Sequence, residues 1–182
     1  MPIIIVPKII EPVRANVPLI FLAGPIRGGG DWQGLMAEKL IEQHADVQIA
    51  CPSRWTARHP LNRYFVRSFS EAANRQLHWE RHYMELASLD PDQKGCVLFW
   101  LGLEDPNDAL FGRQPYAADT RREIGKFTAF KKLLGARIVV GGSEQFYGLS
   151  VIRDEFNDAA GEEFPFFTTM EALSKAALSM AT

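Results

Sequence analysis

Cysteine is scarce in this sequence, positive charge has no excess, and no apolar run is long. The two cysteines among 182 residues, Cys51 and Cys96, sit inside or beside apolar runs. That argues against a disulfide framework and for buried thiols in a reducing compartment. Lys and Arg number 20 against 22 Asp and Glu, a formal charge of −2. No basic surface is left over for a nucleic-acid polymer, so any bound anion is small and held locally. The longest apolar stretches fall well short of the ~20 residues of a bilayer span, which argues against a membrane partner. The N-terminal stretch MPIIIVPKIIEPV is broken by Pro2, Pro7 and Pro12 and has no small-residue cleavage site. It does not read as a signal peptide, and a cytoplasmic protein is expected.

What is present is a chain 47% hydrophobic, enough for one well-filled core and a single domain over residues 1–182. Short apolar runs at residues 3–6, 19–23, 47–50, 97–101 and 138–140 read as strands. Those after the first are nearly continuous in hydrophobicity, the pattern of strands covered on both faces of a parallel sheet. Helical spacing separates them at residues 32–44, 70–89 and 120–134, with Asp31 as the cap of the first helix. The expected fold is an α/β three-layer sandwich around a mostly parallel sheet of about five strands, Rossmann- or flavodoxin-like, with right-handed crossovers. The loops after residues 23, 50 and 102 all follow strands, so they should meet at one edge of the sheet, where such folds hold ligands.

The first of these loops is unusual. The run FLAGPIRGGGDWQG ends a buried strand on Gly24-Pro25 and places Arg27 before Gly28, Gly29 and Gly30. Glycine backbone can turn several N–H groups to one point, a helix N-terminus adds partial positive charge, and arginine adds a fork of donors. The loop reads as a small-anion cradle, although the spacing of the dinucleotide-binding glycines is absent. A surface turn is the plainer alternative.

Two carboxylates stand out. Glu123, in DTRREIGKF, opens a helix after an irregular loop, with Gly125 beside it. With Thr120 it could form a T-x-x-E capping box, or it could serve as a nucleophile at a strand–loop–helix junction. Glu80, in NRQLHWERHYMELA, lies among aromatics and could be an acid of raised pKa, or one member of a solvated helix face. His78 and His82 are spaced i, i+4, but HWERH lacks the H-E-x-x-H order and no third ligand presents itself, so no metal is expected. Trp55, Arg58, His59, Tyr64 and Phe65 could form a lid over a ring-shaped ligand, or a packed surface loop. Phe99 reads as core and Trp100 as the floor of the site. No redox-cofactor signature accompanies the glycine loop, and no cofactor is expected.

In order along the chain, IFLAGPIRGG, QLHWERHYMELA, CVLFWLG, TRREIGKF and RIVVGG resemble the nucleoside 2-deoxyribosyltransferase family over residues 19–153. The IRGGG segment is most similar to the branch of 2′-deoxynucleoside 5′-monophosphate N-hydrolases, and the HWE and FW pieces to the branch that includes bacterial CMP N-glycosidases. The resemblance implies cleavage or transfer at the N-glycosidic bond of a nucleoside or its 5′-monophosphate. It makes Glu123 the nucleophile and Glu80 the acid that protonates or orients the departing base. Gly24, Pro25, Ile26, Arg27, Gly28 and Gly29 would line the sugar and its 5′ substituent, with Trp100 and Thr120 nearby. It also implies a homodimer or larger homo-oligomer with a neighbour closing the site. The segment Asp119-Thr120-Arg121-Arg122 departs from the glycine-rich loop usual before the nucleophile, and Glu80 stands where such hydrolases often carry Asp. Those departures keep open a second expectation, a nucleotide-binding sensor of the same fold without turnover.

Overall fold

The computed structural model describes residues 1–7, 10–52, 59–65, 76–112 and 115–182. Its centre is a six-stranded sheet of β1 (Ile3–Ile5), β2 (Leu19–Ala23), β3 (Gln48–Ala50), β4 (Gly95–Leu101), β5 (Ile138–Gly142) and β6 (Phe166–Phe167). The strand order is β1-β3-β2-β4-β5-β6, and every neighbouring pair is parallel. Helices α1 (Trp32–Gln43), α2 (Gln76–Leu89), α3 (Ala118–Leu134), α4 (Leu149–Ala160) and α5 (Met170–Ala181) connect and cover the strands. The expected α/β sandwich is therefore observed, with a sixth strand and two C-terminal helices added to it.

The continuous hydrophobicity of the central strands has the anticipated cause. Every residue of β2, β3 and β5 is buried, and so is all of β4 except Trp100. Alternate residues feed two cores. Phe21, Val97 and Phe99 join Trp79 and Tyr83 of α2, Phe127 of α3 and Phe156 of α4 on one face. Ile20, Leu22, Cys96 and Leu98 join Met36 and Leu40 of α1 and Leu173 of α5 on the other. Each such fully buried side chain stabilises the fold by about 1.5–3 kcal/mol relative to exposure, before entropy is counted. Asp31 caps α1 as expected, accepting from the Gly34 amide at 3.3 Å. The α4 segment carries Leu149, Ile152 and Phe156 at i, i+3, i+7, and Thr169 caps α5 through the Ala172 amide at 3.2 Å.

Two ends of the sheet differ in what they hold. At the amino end Arg137 donates to four main-chain carbonyls, those of Gly95 (2.7 Å), Ala87 (3.1 Å), Asp90 (2.8 Å) and Gln93 (2.8 Å). One guanidinium thus ties the end of α2 and the turn after it to the start of β4. At the carboxyl end, the chain leaves β2 towards β3 on one side and later takes up β4 on the other. That reversal opens a crevice between β2 and β4, where folds of this class bind ligands. Among the described residues, no helix is long and apolar enough to cross a membrane.

Candidate functional site

A cavity of about 630 Å³ occupies this crevice. Gly24, Pro25, Ile26 and Arg27 line it from the loop after β2, Pro52 from the end of β3, and Pro115 and Ala117 from the loop before α3. The three post-strand loops therefore do converge. Gln76, Leu77 and Glu80 face the cavity from α2, and Ala118, Asp119, Thr120, Arg122 and Glu123 from α3.

The two carboxylates, far apart in sequence, share this space because their helices pack on the same sheet face. Trp79 and Tyr83 anchor α2 against Phe21, with the Phe21 and Trp79 rings 5.8 Å apart. Ile124 and Phe127 anchor α3, with Phe127 edge-on to Phe99 at 5.8 Å. Glu80 and Glu123 are the residues beside those anchors, turned to the mouth of the crevice. Burial pushes the Glu123 carboxyl up to about 7, and the negative charge of Glu80 adds to the rise. Arg122 and Lys126 pull it down, while Asp119 pushes with Glu80. The charge of Glu80 thus reaches Glu123 and disfavours its ionised form. Gln76 donates from its amide to Glu80 Oε1 at 2.8 Å.

The start of α3 resolves the capping question. Ala117, in the left-handed region at φ 59° and ψ 25°, begins the helix, and no side chain caps it. Thr120 is inside the first turn and only 3% exposed, so it makes no capping box with Glu123. A non-glycine residue held left-handed on a cavity wall is the kind of local strain found at functional sites. The two arginines that precede Glu123 part company. Arg122 lines the cavity, whereas Arg121 stacks on Phe146, its guanidinium 4.9 Å from the ring centre.

The glycine loop also divides. Gly24, at φ 151°, turns the chain out of β2 where an added Cβ would lie 2.5 Å from the Trp100 carbonyl oxygen and 2.7 Å from the Trp32 ring. Trp32 then holds the loop by donating its indole N–H to the Pro25 carbonyl at 2.7 Å. Arg27 is exposed at the cavity wall. Gly28 and Gly29 do not line the cavity. Gly28 packs towards Glu104 and Tyr116, and its carbonyl accepts from the Asp105 amide at 2.7 Å. Gly29 lies against the Pro25 carbonyl.

Of the residues expected at the site, Gly24, Pro25, Ile26, Arg27, Glu80, Thr120 and Glu123 are brought together; Gly28 and Gly29 are not, and neither is Trp100. Its side chain packs with the core on the opposite face of the sheet, so it forms no floor. Of the expected lid, Trp55 and Arg58 lie outside the described residues, as do residues 70–75 of the expected second helix. His59, Tyr64 and Phe65 sit away from the cavity: His59 pairs with Asp31 at 2.9 Å, Arg63 lies over the Tyr64 ring at 4.7 Å, and Phe65 bridges to Ile4. Gly125 faces open space, with nothing within 4 Å of an added Cβ. Glu85, on the same helix as Glu80, accepts from Lys126 of α3 at 2.8 Å. Gln76, Pro52, Ala117 and Asp119 are additions. Pro52 and Ala117 lie in loops expected to meet at this edge, and Gln76 had a signal in its i, i+4 spacing to Glu80.

Among the described residues no group of three His, Cys, Asp or Glu could hold a metal ion. Comparison with protein-family models, with curated proteins and with solved structures finds no match to this chain.

Proposed function

We propose that this protein cleaves or transfers at the N-glycosidic bond of a nucleoside, ribo- or 2′-deoxy, or of its 5′-monophosphate. The observation that carries the reading is that Glu80 and Glu123 face one cavity at the strand-reversal crevice, close enough for Glu80 to raise the proton affinity of Glu123. Two carboxyl groups across a scissile bond are what retaining glycoside cleavage requires.

The steps follow from that pair. Glu80 passes its proton to the departing base as the C1′–N bond breaks, and the bonding electrons leave with the base. Ionised Glu123 stabilises the oxocarbenium-like centre and forms the C1′–O bond of a glycosyl ester. Water then attacks C1′ and gives its proton to Glu80, and the ester bond breaks to restore the Glu123 carboxylate. A second base in place of water makes the reaction a transfer. Arg27 and Arg122, both on the cavity wall, suit a 5′-phosphate, which guanidinium groups bind in a fork.

The free protein must therefore enter the cycle with one proton on the pair. Above pH about 7 that proton is lost, so kcat/KM falls as pH rises through about 7. The test incubates the protein with nucleosides and their 5′-monophosphates, ribo and deoxy, and follows free base by chromatography across pH. Base release with that alkaline limb is the expected result. A limb rising through pH 7 overturns the division of roles between the two acids. Thermal stabilisation by these ligands without any base released overturns turnover itself and leaves a nucleotide-binding sensor.

A further inference from the structure

Four serine and threonine side chains are buried on the described helices: Ser88 of α2, Thr120 and Thr128 of α3, and Ser174 of α5. Three of them donate to main-chain carbonyls about one turn earlier. Ser88 reaches Met84 at 2.7 Å, Thr128 reaches Ile124 at 3.1 Å and Gly125 at 2.9 Å, and Ser174 reaches Glu171 at 2.9 Å. Thr120 does not. A helical hydroxyl finds its acceptor on the preceding turn, and Thr120 has no such turn behind it. The helix begins at Ala118, and the carbonyl of left-handed Ala117 accepts from the Arg121 amide at 3.0 Å. Among the described residues the Thr120 hydroxyl therefore has no hydrogen-bond partner, although Thr120 is only 3% exposed and lines the cavity. Nor is its oxygen sealed off, since the partnerless polar atoms shut away from solvent belong to Arg14, Gln33, Gln43 and Arg153. The hydroxyl opens on the cavity, where a ligand can supply the missing half of the bond.

Resting on the N-glycosidic reading above, we propose that Thr120 is a specificity-determining residue that binds the 2′-hydroxyl of the sugar, so that the site is built for ribonucleosides. Thr120 stands three residues before Glu123, and both line the cavity. Helix positions three apart are neighbours, with about 5–6 Å between their Cβ atoms. Glu123 meets the sugar at C1′, and the hydroxyl on the adjoining carbon is the one that a side chain one turn away reaches. A threonine hydroxyl both donates and accepts, which matches another hydroxyl better than the ring oxygen, an acceptor alone. Hydrogen bonds to this hydroxyl are the ones that strengthen as a glycosidic bond opens. Asp119 and Arg122, also on this wall, are exposed and 3.9 Å apart as an ion pair, so they serve the mouth of the cavity.

The experiment uses the full chain as wild type, Thr120→Val and Thr120→Ser. The probes are adenosine and cytidine, their 2′-deoxy and 3′-deoxy forms, and the 5′-monophosphates of each. The 2′-deoxy compounds shed their base more readily in themselves, so the measure is how each substitution changes the ratio of kcat/KM between sugars. Thr120→Val keeps the shape and removes the hydroxyl. It is expected to lower kcat/KM about tenfold or more on the ribo and 3′-deoxy compounds, and less than about threefold on the 2′-deoxy ones. Thr120→Ser should hold the wild-type ratio within about threefold. Equal losses on all sugars mean a structural role and overturn the proposal. A loss that spares the 3′-deoxy compounds means that the other hydroxyl is read, and overturns it too. The second arm measures Kd by calorimetry in Glu123→Gln, with and without Thr120→Val. There the preference for ribo over 2′-deoxy is expected to fall about fivefold or more when the hydroxyl is removed. That fall without base release from any compound by the wild type keeps Thr120 as the reader and ends the N-glycosidic reading. Base release with both ratios unmoved does the reverse, and neither binding nor release of any compound overturns both.

Discussion

The two ends of the parallel sheet handle charge in opposite ways. At the amino end, Arg137 spends its donors on four carbonyls that would otherwise face a buried turn. At the carboxyl end, Glu123 is pressed into a site whose burial and neighbouring acid both disfavour its charge. The first is a charge placed where it satisfies the main chain, the second a charge placed where it is unstable. Folding explains the one. The proposed N-glycosidic reaction, in which a proton must be moved, gives the other a purpose.

The largest expected effect breaks the carboxyl end. Glu123→Gln should lower kcat/KM for base release by about 10³-fold or more, since it removes the group that captures C1′ in the proposed reaction. The same substitution should make the protein more stable, and the sign depends on pH. The folded-state pKa lies above the ordinary value, so the stability linked to this group is fully present at low pH and is lost as pH rises through about 7. Denaturant titrations should therefore show Glu123→Gln gaining on wild type by on the order of 1–3 kcal/mol at pH 8, with little gain at pH 4. A loss of stability at pH 8 would mean that the carboxylate is held by contacts of its own.

The amino end should fail in the opposite manner. Arg137→Ala leaves several carbonyls without donors and should cost about 3–5 kcal/mol of stability by urea unfolding, with no pH dependence near 7. Arg137→Lys should recover less than half, because an ammonium cannot reproduce the guanidinium fork. Residual protein that remains folded should keep its kcat, since Arg137 is remote from the cavity. The smallest effect sharpens the boundary between the two kinds of position. Gly125 lies two residues beyond Glu123 but meets nothing, so Gly125→Ala should raise stability by up to ~1 kcal/mol and leave base release unchanged. A fall in activity would show that open space there receives a ligand or another copy of the chain.

Much of the architecture was legible because burial on both faces leaves a strong mark on sequence. The unbroken run LIFLA and its abrupt end at Gly24-Pro25 located β2 and the site loop together. Trp100 was misplaced for a reason of parity. Once Phe21 and Phe99 point to the face of α2 and α3, the residue after Phe99 must point to the other face, but pairing register is a property of the folded sheet. The start of α3 was hidden differently. Ala117 has none of the chemistry of a capping residue, so nothing local announced a left-handed turn there, and Thr120 with Glu123 offered a false capping box in its place. That Gly28 turns towards Glu104 depends on contacts from a loop some 75 residues later, beyond the reach of any local pattern, whereas Gly29 is held within its own loop by Pro25 and Trp32.

Gly24 sets a practical limit on redesign. With the Trp100 carbonyl and the Trp32 ring both closing on the point where a side chain would begin, the junction between strand and loop has no room for one. A loop transplanted from another scaffold, or a library randomised through this segment, must keep Gly24 fixed and Gly29 with it, where an added Cβ would meet the Pro25 carbonyl oxygen at 2.4 Å. Diversity introduced at Ile26 and Arg27, both exposed, would reach the rim of the crevice without disturbing the sheet beneath it.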